Sequence, residues 1–195
     1  MKNVESNTVR MSKEEIIEEI SPNWVEQHFS TVQRDFFIDL LLKLKPSFCL
    51  ETGFCTGTSS ATILAAARPK KLISIGLAYN NLDVAKKLEE QYSFKLIKGD
   101  STHLLTSEFF GKEFPDGVDF FHVDGGHAYH EALADLENAL PHMNDRATFV
   151  VDDYHSKICP LPSVDQAVDF FVKEHSLEVQ GINTEDGKGM AIISR

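Results

Sequence analysis

From residue 48 onward the sequence alternates between two rhythms. Short apolar runs occur at Phe48–Leu50, Leu72–Ile75, Lys95–Ile97, Val118–Val123 and Thr148–Val151. Between them lie segments whose apolar residues recur at helical spacing. Thr58–Ala67 is rich in alanine and opens with hydroxyl residues; Leu82, Ala85 and Leu88 mark a second segment, and Leu133, Leu136 and Leu140 a third. Parallel strands need a crossover of about a dozen residues or more, and a helix supplies it. The alternation therefore predicts a doubly wound, mostly parallel α/β sheet with helices on both faces. The last two runs, Leu177–Ile182 and Met190–Ile193, are joined through Asp186-Gly187, too tightly for a crossover helix. They are expected to form an antiparallel hairpin at one edge.

Two helices precede this pattern. Ser12-Lys13-Glu14-Glu15 is a capping box followed by Ile16, Ile17 and Ile20 on one face. A second helix is expected from about Asn23, with Val32, Phe36, Phe37, Leu40, Leu41 and Leu44 at helical spacing and Pro46 ending it. Toward the other end, Ser163-Val164-Asp165-Gln166 reads as a further capping box, ahead of a stripe of Val164, Ala167, Val168, Phe171 and Val172. No repeat or linker divides the chain. The expected organisation is a helical extension over residues 1–45 packed on a single domain over residues 46–195.

Charge narrows the partners. The 195 residues carry 19 Lys and Arg against 30 Asp and Glu, a formal net charge of −11. That surplus repels a phosphate backbone and an anionic membrane surface, so neither nucleic acid nor membrane is an expected partner. Cys49, Cys55 and Cys159 form no CxxC pair, and the first ten residues lack the apolar core of a signal peptide. Reduced thiols and a cytoplasmic location are expected.

A doubly wound sheet binds its ligand at the carboxyl ends of its strands. After the first strand comes Glu51-Thr52-Gly53-Phe54-Cys55-Thr56-Gly57-Thr58-Ser59-Ser60. Gly53 and Gly57 permit a sharp turn and close approach to a ligand, while the helix after Gly57 offers free N–H groups. The dinucleotide fingerprint fails at Cys55 and Thr58, and no lysine follows Gly57 as a phosphate loop requires. An ordinary tight strand–helix turn fits the same residues. Lys98-Gly99-Asp100-Ser101 follows the third strand, where a carboxylate can accept a hydrogen bond from an exocyclic amine; capping the next helix is the simpler use of Asp100 or Ser101.

The fourth and fifth strands end in Asp124-Gly125-Gly126-His127-Ala128-Tyr129 and in Asp152-Asp153-Tyr154-His155. The interval between Asp124 and Asp152 fits one helix plus one strand, which puts them on neighbouring strand ends. Three converging carboxylates repel one another unless protons or a cation intervene. Hard oxygen ligands select Mg²⁺, Mn²⁺ or Ca²⁺ over zinc, so Asp124, Asp152 and Asp153 are the expected metal ligands. His127, three residues beyond Asp124, is placed to act as a general base, whereas His122, inside a strand, reads as a satisfied core histidine.

Together these motifs resemble the class I S-adenosylmethionine-dependent methyltransferases, most closely the small-molecule O-methyltransferase branch with macrocin O-methyltransferase-like and catechol-type enzymes. The resemblance spans roughly residues 32–195. It implies a seven-stranded Rossmann-like sheet with the last strand antiparallel. It further implies S-adenosylmethionine as cofactor, a divalent cation (magnesium, calcium or manganese) and a small-molecule hydroxyl as acceptor. Glu51, Gly53 and Gly57, with Thr52, Phe54, Thr58 and Ser59 around them, would line the methionine and ribose part of the cofactor. Asp100, beside Ser101, would hold the adenine amine, and Asp124 with His127 would carry the chemistry.

One departure from the family pattern stands out. The second strand normally ends in an acid that binds the ribose hydroxyls, and here Leu72-Ile73-Ser74-Ile75-Gly76-Leu77 puts Gly76 in that place. Hydrogen bonds to a carboxylate contribute about 1.5–3 kcal/mol each. Asn80 or Asn81 would have to substitute. This keeps open a methyltransferase-fold binding module with impaired catalysis; a metal-dependent hydrolase or oxygenase using the same acids is a third reading. The N-terminal helices, with Trp24 and Phe29, have three open uses: a lid, a homodimer interface, or plain core packing.

Overall fold

The structure is a computed structural model that describes residues 11–23, 29–77, 81–158 and 160–194. Trp24, Asn80 and Cys159 lie outside the described residues. The chain opens with α1 (Lys13–Ile20), whose capping box is formed as expected: Ser12 N donates to Glu15 Oε2 at 2.6 Å and Glu15 N to Ser12 Oγ at 3.2 Å. Helix α2 runs over Thr31–Leu44 rather than starting near Asn23, which sits in a separate 3₁₀ turn, Ser21–Asn23. The start is set by a second capping box, in which Ser30 and Gln33 exchange side-chain-to-backbone hydrogen bonds.

The alternating part follows as β1 (Phe48–Thr52), α3 (Thr58–Ala67), β2 (Lys71–Gly76), α4 (Leu82–Gln91) and β3 (Phe94–Lys98). Two short helices, α5 (Ser101–Leu104) and α6 (Ser107–Glu113), precede β4 (Val118–Val123). Then come α7 (Tyr129–Ala139), β5 (Met143–Asp152), α8 (Pro162–His175), β6 (Glu178–Asn183) and β7 (Gly189–Ser194). The seven strands are ordered β3-β2-β1-β4-β5-β7-β6. The first five are parallel to one another, and β7 runs antiparallel between β5 and β6. The closing hairpin therefore forms as expected and leaves β6 at the edge, which is why most of its residues are exposed although the run reads as a strand.

Each face of the sheet carries its own apolar layer. On one, Ile16, Ile20, Phe37, Leu41, Ile63, Leu64, Val84 and Leu88 pack with Phe120 and Val150. On the other, Leu105, Phe110, Leu136, Val168 and Phe171 pack with Leu50, Ile73, Phe121 and Phe149. Adjacent Phe120 and Phe121 go to opposite faces, as strand alternation requires, and each fully buried Leu, Ile or Phe contributes about 1.5–3 kcal/mol. Phe29 joins the first layer, edge-on to Phe37 with ring centroids 5.3 Å apart, so its use is core packing. Helix α3 is apolar nearly all round because α1 and α2 cover the side turned away from the sheet.

One capping expectation is corrected. Helix α8 begins at Pro162, with Leu161 at its N-cap and no side-chain cap. Proline fits the first helical position, so Ser163 lies inside the helix and its hydroxyl donates instead to the His127 backbone oxygen at 2.6 Å. No helix among the described residues is long and apolar enough to cross a membrane.

Candidate active site

Strand order reverses between β1 and β4, and the carboxyl ends of the strands diverge there. A cavity of about 570 Å³ occupies this crevice. All five parallel strand ends contribute: Gly53 and Phe54 after β1, Gly76 and Leu77 at β2, Asp100 and Ser101 after β3, Asp124 to His127 after β4, and Asp152 with Asp153 at β5.

The floor is set by backbone packing. Gly53 has a φ of +96°, and a Cβ there would lie 1.7 Å from the Asp124 carbonyl oxygen. Only glycine lets the β1 loop pass this close beneath the β4 loop. Gly53 N donates to Ile75 O at 2.8 Å and Asp124 N to Thr52 O at 3.0 Å, so three strand ends are tied at one point.

Above this floor Asp124, His127 and Asp153 converge, each offering one donor atom within 4.8 Å of the others. His127 Nε2 lies 3.6 Å from Asp124 Oδ1 and 3.6 Å from Asp153 Oδ2, ion-pair rather than hydrogen-bond distances. The Asp124 carboxylate is the main cause raising the imidazole's pKa above its ordinary value, with Asp153 and Asp152 adding to it. Burial and the Asp124 charge push the Asp153 carboxyl up. Two carboxylates and one imidazole are a donor set that a hard or borderline divalent cation accepts.

This cluster differs from the expected Asp124, Asp152 and Asp153. Asp152 lines the cavity, but its Oδ1 accepts a hydrogen bond from Gln33 Nε2 at 2.8 Å. Asp153, at a φ of +62°, turns the chain and carries its own side chain to the cluster. Burial, with the neighbouring Asp124 and Asp153 charges, raises the Asp152 pKa well above the carboxylate range.

The cofactor residues divide in two. Gly53, Phe54, Gly76, Asp100, Ser101 and Asp124 line the cavity, whereas Glu51, Thr52, Gly57, Thr58 and Ser59 do not. Glu51 is fully buried, accepting from the Ser60 hydroxyl and from Ser74 Oγ at 2.6 Å, and facing His122 Nδ1 at 3.3 Å. Its carboxylate is part of the architecture beneath the site. Thr58 and Ser59 are buried because α3 is covered along its length. Gly57, at a φ of +83°, caps α3 and lies against the Phe54 ring. Asp100 does both of the things its position allowed: it caps α5 through Thr102 N at 3.0 Å and also lines the cavity. The Asn81 side chain caps α4 through Val84 N at 3.2 Å.

Sequence reasoning missed Gln33, Asp135, Ile158 and Lys188. Ile158 and Lys188 line the cavity from the chain beyond β5. Asp135, on the inner side of α7, is fully buried beneath Gly125, and neither of its carboxylate oxygens has a hydrogen-bond partner among the described residues. Burial pushes it up to about 6, against the pull of the nearby Ser101 and Thr52 hydroxyls. The Cys49 thiol is also raised by burial, and that disfavours a thiolate nucleophile.

Comparison with known proteins agrees with this geometry. Residues 50–154, more than half of the chain, match the model of a family described as a methyltransferase domain. The chain belongs to that family, and its seven-stranded sheet with a crevice at the strand ends is a methyltransferase fold. Among solved structures it is similar to the O-methyltransferase from Bacillus cereus in complex with SAH, with a TM-score of 0.72 and 16% identity over 95% of this chain and 92% of that one. It is also similar to the O-methyltransferase TomG from Streptomyces achromogenes, involved in tomaymycin synthesis and solved with SAM: TM-score 0.68, 16% identity, 97% and 92% coverage. The SAH-bound methyltransferase PaMTH1 from Podospora anserina gives a TM-score of 0.66 at 16% identity, over 96% and 90% of the two chains. A search of curated protein sequences finds no significant match.

Proposed function

We propose that the protein methylates a hydroxyl oxygen of a small molecule, with a divalent cation held by Asp124, His127 and Asp153. The observation that carries this reading is the meeting of those three side chains at the wall of the cavity formed by all five parallel strand ends. S-adenosylmethionine supplies an electrophilic methyl group, and a bound cation lowers the pKa of a hydroxyl that it contacts. The chain's own groups do the rest. Phe54 and Leu77 give the cavity apolar wall, and Asp100 keeps acceptor capacity at the end of β3 for an amine. With His127 engaged as a ligand, the proton of the acidified hydroxyl would pass to solvent as the O–C bond forms and the C–S bond breaks. The His127 backbone oxygen is fixed by Ser163, which holds the loop in place. The contribution is chiefly one of positioning.

Gly76 favours a second reading, a fold that binds cofactor weakly. It stands at the cavity wall where a ribose-binding acid is absent, and Asn81 is committed to its helix cap. Titration of the protein with S-adenosylmethionine by calorimetry separates the two. Saturable binding, with methyl transfer to a hydroxyl-bearing acceptor that is lost on chelation and restored by Mg²⁺ or Mn²⁺, supports the first reading. No heat at millimolar cofactor overturns it.

A further inference from the structure

Gln33 lies outside the segment that defines the family, yet its side chain reaches the site. It is fully buried on α2, and its amide is used at both ends. Oε1 accepts from Ser30 N at 3.2 Å to complete the capping box, and Nε2 donates to Asp152 Oδ1 at 2.8 Å across 119 residues of sequence. One turn further along the same face, the Phe37 ring packs against His122 with centroids 5.0 Å apart. The face of α2 that carries Gln33 and Phe37 therefore meets the buried polar ends of β4 and β5.

We propose that Gln33 is a positioning residue of this methyltransferase. By holding Asp152 Oδ1 it fixes that carboxylate at the cavity wall, and it makes α2 part of the site rather than a cover laid over the sheet. Asp152 is only 7% exposed, and a buried carboxylate oxygen needs a donor. The Asp153 backbone supplies one and Gln33 supplies another. A primary amide satisfies the oxygen without adding a charge of its own. The capping box itself accepts either glutamine or glutamate at its third helical position. Glutamate would set a second carboxylate against Asp152, so the choice of glutamine follows from the site and not from the cap. S-adenosylmethionine carries positive charge at sulfur, and the placement of a carboxylate on its cavity wall bears directly on its affinity.

The test is calorimetric titration of the full chain with S-adenosylmethionine, with thermal unfolding run alongside. Gln33→Met keeps length and apolar bulk but removes the donor, and is expected to weaken binding about tenfold, the ratio for one hydrogen bond to a charged group. In the D152N background the same change is expected to cost less than twofold, because no charge is left to hold. Ser30→Ala loosens the cap while keeping the bond to Asp152, and is expected to lower the melting temperature with affinity unchanged. Equal losses from Q33M with and without D152N would reduce Gln33 to a helix-capping residue and overturn the proposal, as would wild-type affinity in Q33M. If Q33M does not fold, Gln33→Glu carries the test: it retains the capping box and is expected to weaken binding at least tenfold at pH 8. Wild-type affinity in Q33E overturns the proposal.

Discussion

The two rims of the sheet treat carboxylates in opposite ways. At the amino ends of the strands, Glu113 meets Lys71 Nζ at 2.8 Å and Lys95 Nζ at 2.8 Å, and these hydrogen bonds hold its carboxyl down at about 2. Asp119 there accepts from Ser47 N and Phe48 N at 2.9 Å each and from Asn144 Nδ2 at 2.8 Å. At the carboxyl ends, Asp124, Asp152 and Asp153 crowd together, and burial with mutual repulsion raises the latter two. The amino rim spends its acids on saturated contacts that stabilise the fold. The carboxyl rim crowds its acids together, as functional sites often do.

The largest effect is expected where the carboxyl rim depends on bare geometry. Gly53→Ala forces a side chain into the Asp124 carbonyl at a backbone conformation that favours glycine. A loss of more than about 3 kcal/mol in chemical denaturation is expected, with cofactor binding abolished. Wild-type stability in G53A would show that the two loops separate freely, and the convergence of the strand ends would lose its basis.

Glu113→Gln tests the amino rim. A carboxyl depressed from 4.5 to about 2 contributes stability that is present above the unfolded value and lost as pH falls from 4.5 toward 2. With the side chain only 10% exposed, the loss in E113Q at pH 7 is expected to be about 2 kcal/mol after allowance for screening. The difference from wild type should vanish below about pH 2, and a constant difference across pH would assign the effect to packing rather than charge.

Asp135 reverses the sign. Its folded-state pKa is raised from 3.8 to about 6, so the folded state holds a proton that the unfolded chain has released. Stability therefore falls as pH rises from 3.8 to about 6, and the full penalty is present at pH 7. Asp135→Asn is expected to raise stability at pH 7 by roughly 1–2 kcal/mol and to leave it unchanged below about pH 3.8. A loss at pH 7 would mean that the Thr52 and Ser101 hydroxyls satisfy the anion.

The contrast between rims was half legible in the sequence. Strand ends could be read because apolar runs and their spacing fix where chains turn, and the interval from Asp124 to Asp152 put both on neighbouring parallel strands. The facing of single side chains could not. Strands buried on both faces show no alternation, so nothing revealed that Glu51 turns into the core instead of the cavity. Gln33 reaches Asp152 over 119 residues, and its Ser30-x-x-Gln33 cap, though local, is passed over by a reading that starts the helix near Asn23. Helices α5 and α6, of four and seven residues, are too short for periodicity; Asp100 reads as a cap, whereas the Thr106 cap of α6 goes unread.

Asp153→Asn gives the smallest effect in energy and the most discriminating one. Asp153 is raised by burial and by the Asp124 charge, against pulls from His127 and Lys188. Removing its charge relieves repulsion while keeping shape, so stability at pH 7 is expected to rise by less than in D135N. The same substitution takes away one of the three proposed cation donors, and Mn²⁺ affinity read by electron paramagnetic resonance is expected to drop at least tenfold. A structural acid loses stability when neutralised, as Glu113 should; an acid held for function gains stability and loses its ligand. If D153N destabilises the protein and binds Mn²⁺ as wild type does, Asp153 belongs with Glu113, and the division between the rims fails at the residue where it should be sharpest.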